Sequence, residues 1–297
     1  MSNAMEWLQF VLAPQMINGL SIGVAVVLMA LGLTIIFGLL DVINMAHGEF
    51  YAIGAYLAVA LLATGMSIWW ALVLTPLLMA VLGFVTERGL IQRVFHSKDR
   101  HTLTLLLTFG VAVVLEDALK IAFGANPLRL EAPISGATEM LGLFFPNYRL
   151  FVMLFGGALI AGVWLLVFRT SLGAIVRAAA YDRNMSASLG VPVQLVYAGT
   201  FAFGVALAGI AGVLLAPIYS VFPTMGKDFV LIAFSVVIIG GMGSIKGALL
   251  AGLLLTQVQS ISSLYISPVW SDPLLFGIMV LVLMWRPQGL FGKLGSA

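Results

Sequence analysis

The feature that most constrains this chain is a succession of apolar runs, each about long enough to cross a lipid bilayer and separated by little else. A spanning helix needs roughly 20 mostly apolar residues, because the hydrocarbon core is about 30 Å thick and each helical residue rises about 1.5 Å. The candidate runs are Met16 to Leu40, Tyr51 to Thr64, Ile68 to Thr86, Leu103 to Gly124, Leu150 to Phe168, Val196 to Pro217, Gly247 to Leu264 and Pro273 to Trp285. A shorter stretch, Asp228 to Gly241, either spans or re-enters. Only 9% of the 297 residues are charged and 62% are hydrophobic, with a mean hydropathy of +1.12, so a soluble globule that must clothe its surface with polar groups is excluded. The expected fold class is all-α, a polytopic integral membrane protein of eight or nine transmembrane helices with short cytoplasmic coupling helices. Residues 5–297 read as a single transmembrane domain and residues 1–4 as a cloning scar before a second start-like Met5. The stretch from Trp7 to Ala13, ahead of Pro14, reads as a segment lying flat at the interface.

The cations set an orientation. Arg88, Arg93, Lys98 and Arg100 fill one gap, Arg169, Arg177 and Arg183 a second, and Arg286 with Lys293 follow the last run, so nine of the 14 Lys and Arg lie in three segments expected on the cytoplasmic side. The gap from Ala125 to Arg149 balances Arg129 and Arg149 against Glu131 and Glu139 and alternates as an external loop. This puts the amino terminus outside and the carboxyl terminus inside. The formal net charge is only +2, and cations confined to loops point to membrane orientation and not to nucleic acid. With no cysteine there is neither a disulfide framework nor a thiolate metal site.

Missing motifs narrow the function. No G-x-x-x-x-G-K-[ST] is present, so the chain cannot cradle nucleotide phosphates in the P-loop manner. His47, His96 and His101 do not follow H-E-x-x-H, and the G-x-S-x-G letters at Gly19 to Gly23 fall inside an apolar run and not on a strand-to-helix turn, so neither a metal site nor a hydrolase is supported. A pore, a transporter, or a membrane subunit that takes energy from a partner remains, and no cofactor is called for. Between the first two runs, Asp41, Asn44, His47 and Glu49 interrupt apolar sequence with almost no loop composition. Read as a helix, Asn44, His47, Tyr51 and Ala55 share one face. Polar groups at membrane depth usually face a cavity or one another, so the face is a candidate substrate pathway; the plainer reading is a short cytoplasmic turn with Asp41 as a helix cap.

The segment from Gly32 to Tyr56, GLTIIFGLLDVINMAHGEFYAIGAY, resembles the signature of LivH-type permeases of branched-chain amino acid ABC transporters. The likeness extends to VIIGGMGSIKGALLAG from Val237 to Gly252 and MWRPQGLFG from Met284 to Gly292. It implies a passive permease subunit of an importer for branched-chain amino acids or related small polar solutes. The implied partners are two ABC ATPase subunits, a second permease subunit or a copy of this one, and a periplasmic or extracellular solute-binding protein. The implied location is a bacterial or archaeal cytoplasmic membrane. The alternative from another class is a selective channel for urea or a similar small solute; an integral membrane enzyme lacks a clustered acid/base or metal constellation.

The loop between Phe168 and Val196 predicts two short helices. Ser171 caps the first, Asp182 the second, Gly190 takes the left-handed C′ position and Pro192 stops it. Ala178, Ala179, Ala180 and Ala187 form a low-relief surface flanked by Arg177 and Arg183, suited to docking another protein or to a plain amphipathic connector. In the resembling permeases this loop supplies the coupling helix for the ATPase, which assigns that role to Arg177, Ala178, Ala179, Asp182, Arg183, Ala187 and Gly190. The glutamate of the EAA pattern of other importer classes is absent. Gly240, Gly241, Gly243 and Gly247 predict a sharp bend with close helix packing. Glu116 and Lys120 are spaced for an i, i+4 ion pair, Asp117 has no evident partner, and Gly19-x-x-x-Gly23 and Gly204-x-x-x-Ala208 with Gly209 and Gly212 read as helix contacts, within the chain or across a dimer.

Overall fold

The computed structural model describes residues 6–95, 97–140 and 142–292. In lipid every backbone N–H and C=O must be satisfied within its own segment, so apolar runs of this length can only become helices. They do: α1 is Ala13–Leu40, α2 His47–Ala63, α3 Ile68–Thr86, α4 Arg100–Phe123, α5 Asn147–Arg169, α6 Ser171–Tyr181, α7 Arg183–Ser188, α8 Val193–Leu215, α9 Met225–Gly240, α10 Ile245–Ser262 and α11 Ser271–Trp285. Among the described residues, six helical spans are long and apolar enough to cross a membrane, while α2, α9 and α11 are shorter. Several helices begin three residues before their apolar run, as α4 does at Arg100 and α5 at Asn147, because helical hydrogen bonding continues into the polar interface.

Two expectations change here. Pro14 does not cut off a separate interfacial segment: a π-helical stretch at Leu8–Leu12 runs directly into α1, and one apolar span runs from Phe10 to Leu40. The gap from 125 to 149, read from sequence as an external loop, holds a hairpin of β1 (Ala137–Met140) and β2 (Leu143–Pro146), with Ala137 opposite Pro146. Asn147 fastens the hairpin, its amide donating to the Ser135 carbonyl at 3.1 Å and its carbonyl accepting from Thr138 Oγ1 at 2.6 Å. Leu128 and Val221 then form an antiparallel bridge between this loop and the α8–α9 connection.

α1 and α8 form the centre. Their apolar windows are 83% and 89% buried, against 22% for α4 and for α5, which leave most of their surface for lipid or partners. α10 and α5 pack on α1, α3 on α8, and α2 and α9 close the remaining sides. The ends of the bundle segregate. Asp41 meets Arg100, Arg183 meets Phe95, and Gly241 abuts Gly292, which gathers the three cation-bearing segments at one end. Gln15 bonds Ser263, Arg149 bonds Asn18, and the hairpin lies at the other. His96 and Lys293 lie outside the described residues.

Candidate functional site

The polar break after α1 is built by backbone geometry. Asp41 takes a left-handed conformation (φ 53°), rare for a residue with a side chain, and its N–H closes α1 onto the Phe37 carbonyl at 2.9 Å. Asp41 is therefore the C-cap of the first helix and not a cap of the second. The next residues are held away from helix by α4: Thr108 Oγ1 accepts from Met45 N at 3.2 Å and lies 3.2 Å from the Ile43 carbonyl. α2 then starts at His47, whose Nε2 donates to the Met29 carbonyl at 3.0 Å. Met29 stands about 16 Å from the end of α1 by helical rise. The chain thus turns back into the bundle before α2 begins, which buries Asn44, His47 and Glu49 while Asp41 stays half-exposed.

Asn44, His47 and Tyr51 are each fully buried. The expected single helical face is corrected: Asn44 precedes the helix, and only His47, Tyr51 and Ala55 share it. The physical reason is local competition, since Asn44 Oδ1 accepts from Ala46 N at 3.1 Å and replaces a helical bond. Because a carbonyl can only accept, the bond to Met29 puts the proton of a neutral His47 on Nε2 and leaves Nδ1 as an acceptor. His47 Nδ1, Asn44 Nδ2 and the Tyr51 hydroxyl have no hydrogen-bond partner. The Tyr51 ring lies 4.4 Å from that of Phe229 on α9. A cavity of about 210 Å³ beside the break is lined by apolar side chains, among them Leu33, Phe37, Ile43 and Phe234, and the three polar residues do not reach it.

Close helix approach positions this set. A Cβ at Gly32 would come within 2.4 Å of the Gly204 carbonyl oxygen and 3.2 Å of His47 Cε1, so α1, α2 and α8 converge on the imidazole. Gly19 and Gly23 face Ser260 and Thr256 of α10, and Gly209 faces Met79 of α3, so both small-residue patterns make contacts within the chain. The expected bend is present. α9 stops at Gly240, Gly241 (φ 101°) and Gly243 (φ 79°) turn the chain, and Gly240 meets Gly247 backbone to backbone. The carboxyl-terminal segment docks on this bend through Leu290 N to Ile239 O at 2.8 Å and Phe291 N to Gly240 O at 3.0 Å, while Gly38 packs on Gly243. All three sequence motifs therefore meet at one end of the bundle.

In the loop, Thr170 and not Ser171 caps α6, its hydroxyl accepting from Gly173 N at 3.1 Å, because Thr170 is the last residue with extended backbone. Asp182 caps α7 by accepting from Met185 N at 2.9 Å. Gly190 (φ 86°) is at C′: its N–H reaches Ala187 O at 3.0 Å and that of Val191 reaches Ser186 O at 3.1 Å, the paired bonds of a Schellman motif. Ala178 and Ala187 are exposed, but Ala179 is buried. The flanking arginines do not project as free charges. Arg177 donates to the Val167 carbonyl, and Arg183 lies over Phe95 at 4.9 Å and Tyr197 at 5.5 Å. Tyr181 (95% exposed), Met185 and Leu189 supply the projecting apolar surface that reading the alanines missed. Their recurrence every four residues through the mostly polar stretch from 181 to 189 was the available signal.

Elsewhere Glu116 is buried and pairs with Lys120 at 2.7 Å, as expected, and also with Lys227 of α9 at 2.6 Å. Asp117 does have a partner, Lys120, at 3.2 Å. Glu49, the last of the polar residues that interrupt the apolar sequence at the break, is buried against Gly226.

Comparisons with known proteins agree with this architecture. The family model for the branched-chain amino acid transport system permease component matches residues 15–283. The high-affinity branched-chain amino acid transport system permease protein LivH of Salmonella typhimurium is 30% identical over 294 residues, covering 94% of this chain and 95% of its own. BraD of Pseudomonas aeruginosa, named in the same terms, is 30% identical over 296 residues with the same coverage. LivM of Escherichia coli K12, also named a permease protein of that system, is 28% identical over 291 residues, covering 89% of this chain and 67% of its own. No solved structure matches the chain. A multi-pass bundle of apolar helices, matched along nearly its whole length, identifies this chain as a member of the branched-chain amino acid transport permease family.

Proposed function

We propose that this chain is the passive translocation subunit of an ATP-driven importer for branched-chain amino acids or related small polar solutes, acting as one permease domain over residues 5–297 in a bacterial or archaeal cytoplasmic membrane. The observation that carries the reading is a chain of side-chain contacts from the break to the exposed loop. Asp41 at the break pairs with Arg100 at 3.2 Å, Arg100 lies over Phe95 at 5.4 Å, and Arg183 at the start of α7 lies over the same ring. Force applied at the loop reaches the break through packed side chains.

Two ATPase subunits dock on the 169–196 loop, whose working residues are Arg177, Ala178, Ala179, Asp182, Arg183, Ala187 and Gly190 together with Tyr181, Met185 and Leu189. A second permease subunit completes the pathway, and an external solute-binding protein delivers the solute. Asn44, His47 and Tyr51 line the pathway when it opens, because a solute with polar groups needs hydrogen-bonding partners in an otherwise apolar wall. Their unpartnered donor and acceptor atoms are closed off in the present conformation. The glycines at 240, 241, 243 and 247 form the bend about which α9 and α10 move.

The test is uptake of radiolabelled leucine into proteoliposomes carrying the chain with its ATPase, permease and binding-protein partners. Uptake that requires both ATP and the binding protein is the expected result. Uptake that runs down a gradient without ATP makes the chain a channel and overturns the proposal.

A further inference from the structure

α5 and α10 both pack on α1, and a cleft of about 480 Å³ stays open between them. Gly157 and Ala161 of α5, one turn apart, line it together with Leu31 of α1 and Leu249 of α10. A Cβ at Gly156 would run into Val24 of α1, whereas one at Gly157 meets nothing within 4 Å, so α5 keeps its packed side on α1 and an open groove beside it. By helical rise Leu31 stands about 14 Å from Leu40 and Gly157 about 18 Å from Arg169, the last residues of α1 and α5. The groove therefore has about the depth of one leaflet of a hydrocarbon core about 30 Å thick. Charge is confined to its cation-rich end. Lys246, exposed in the first turn of α10, lines the cleft, and so does Trp164, over whose ring the Arg169 guanidinium lies at 5.9 Å. Among the described residues neither cation makes an ion pair. The amino-terminal end of α10 favours negative charge in the same place.

A groove of leaflet depth, apolar along its length and closed at one end by two uncommitted cations and an interfacial tryptophan, has the chemistry of an anionic amphiphile. A water-soluble anion would leave the apolar length unfilled, and a neutral lipid would leave the cations without a counter-charge. We propose that the cleft between α1, α5 and α10 binds an acidic phospholipid of the leaflet at the cation-rich end. One acyl chain lies along Gly157 and Ala161, and the phosphate sits at Lys246 and Arg169. Phe291, which docks on the glycine bend through Gly240, is part of the same wall, so the bound lipid braces the start of α10 where it leaves that bend. The site stands independently of which solute the chain moves.

The chain has no cysteine, so Leu254→Cys, on the exposed face of α10 one turn beyond the cleft residue Leu250, carries a single small fluorophore. The full chain is reconstituted in phosphatidylcholine vesicles, and phosphatidylglycerol or phosphatidylcholine bearing a nitroxide on an acyl chain is added as quencher. Half-quenching is expected at a mole fraction at least about fivefold lower for the phosphatidylglycerol, since one cation beside an acidic headgroup is worth about that factor. Lys246→Gln and Arg169→Gln should each remove most of the difference, and Lys246→Arg should keep it. Gly157→Leu, which fills the groove and leaves both cations in place, should remove it as well. Arg93→Gln, a cation at the same end but outside the cleft, should leave it intact. Equal quenching by the two lipids overturns the proposal, and so does a preference that survives Lys246→Gln together with Arg169→Gln. A preference that survives Gly157→Leu, or that falls equally in Arg93→Gln, reduces the effect to surface charge and overturns the site. Loss of the preference in millimolar inorganic phosphate makes this a site for a free anion, and quenching by neither lipid puts a second copy of the chain on this face; either result overturns the lipid assignment.

Discussion

Arg100 and Arg183 share one aromatic ring: their guanidinium carbons lie 5.4 and 4.9 Å from the centroid of Phe95, and Phe95 itself packs edge-on against Tyr197 at 5.5 Å. One arginine opens α4 and reaches Asp41 at the break, and the other opens α7 in the exposed loop. The negative face of an aromatic ring attracts both cations to one place. Removing either charge is therefore expected to disturb motion more than folding.

Arg183→Gln should lower solute imported per ATP hydrolysed while leaving the amount of folded protein unchanged. Arg183→Lys, which keeps the charge but loses the planar stacking, should fall between the two. Uptake and phosphate release measured on the same proteoliposomes check this. The Asp41–Arg100 pair is about half exposed on both sides, so its loss should barely change thermal stability.

The Schellman turn after α7 makes a sharper demand. Gly190→Val places a β-branched side chain at φ 86° and should unwind the end of α7, while Asp182→Ala removes a cap worth about 0.5–2 kcal/mol. Both changes lie in the exposed loop and should uncouple uptake from ATP hydrolysis without lowering the melting temperature of the membrane bundle. Unchanged uptake per ATP in Gly190→Val would remove this loop from the coupling path.

His47 should matter as a hydrogen-bonding group. His47→Gln and His47→Asn keep a side-chain amide able to donate toward Met29, and they should retain more leucine uptake than His47→Leu at equal expression. If all three transport alike, the break plays no part in the pathway.

Packing around the break separates two classes of glycine. Gly32→Val must push α1 from α8, because even a Cβ there would lie 2.4 Å from the Gly204 carbonyl oxygen. Overpacking of this kind costs about 1–3 kcal/mol or more, so the variant should lose monodisperse protein in detergent. Gly110→Ala, with nothing within 4 Å of the added methyl, should instead stabilise α4 by about 0.5–1 kcal/mol through helix propensity. Gel filtration of fluorescently tagged variants after heating distinguishes them.

Orientation is testable with the same cysteine-free background. Single cysteines at Arg93 and Arg183 should resist an impermeant thiol reagent in intact cells, and one at Glu139 in the external hairpin should react. Reaction at position 183 from outside would reverse the topology and end the coupling argument with it.

How much of this was legible beforehand follows from the range of the forces involved. Helices from apolar runs, the cap at Asp182, the left-handed Gly190, the bend at Gly240 to Gly247 and the Glu116–Lys120 pair were all readable, because each depends on bonds between residues a few positions apart. The depth of the break was not. Asn44 looks helical in sequence, but its own side chain takes the Ala46 N–H, and Thr108, far along the chain, claims the backbone of Ile43 and Met45 on either side of it. The second partner of Glu116 is Lys227, and no local spacing announces it. Arg177 and Arg183 read only as flanks of a docking surface or connector until Phe95, Tyr197 and the Val167 carbonyl are brought beside them. By itself the sequence determined that the chain forms membrane helices and where each stops, since an apolar backbone in lipid can satisfy its hydrogen bonds only locally. Only the tertiary structure decided which polar atoms lie buried together, because helix register and depth are set by backbone approaches such as that of Gly32 to Gly204, between residues distant in the chain.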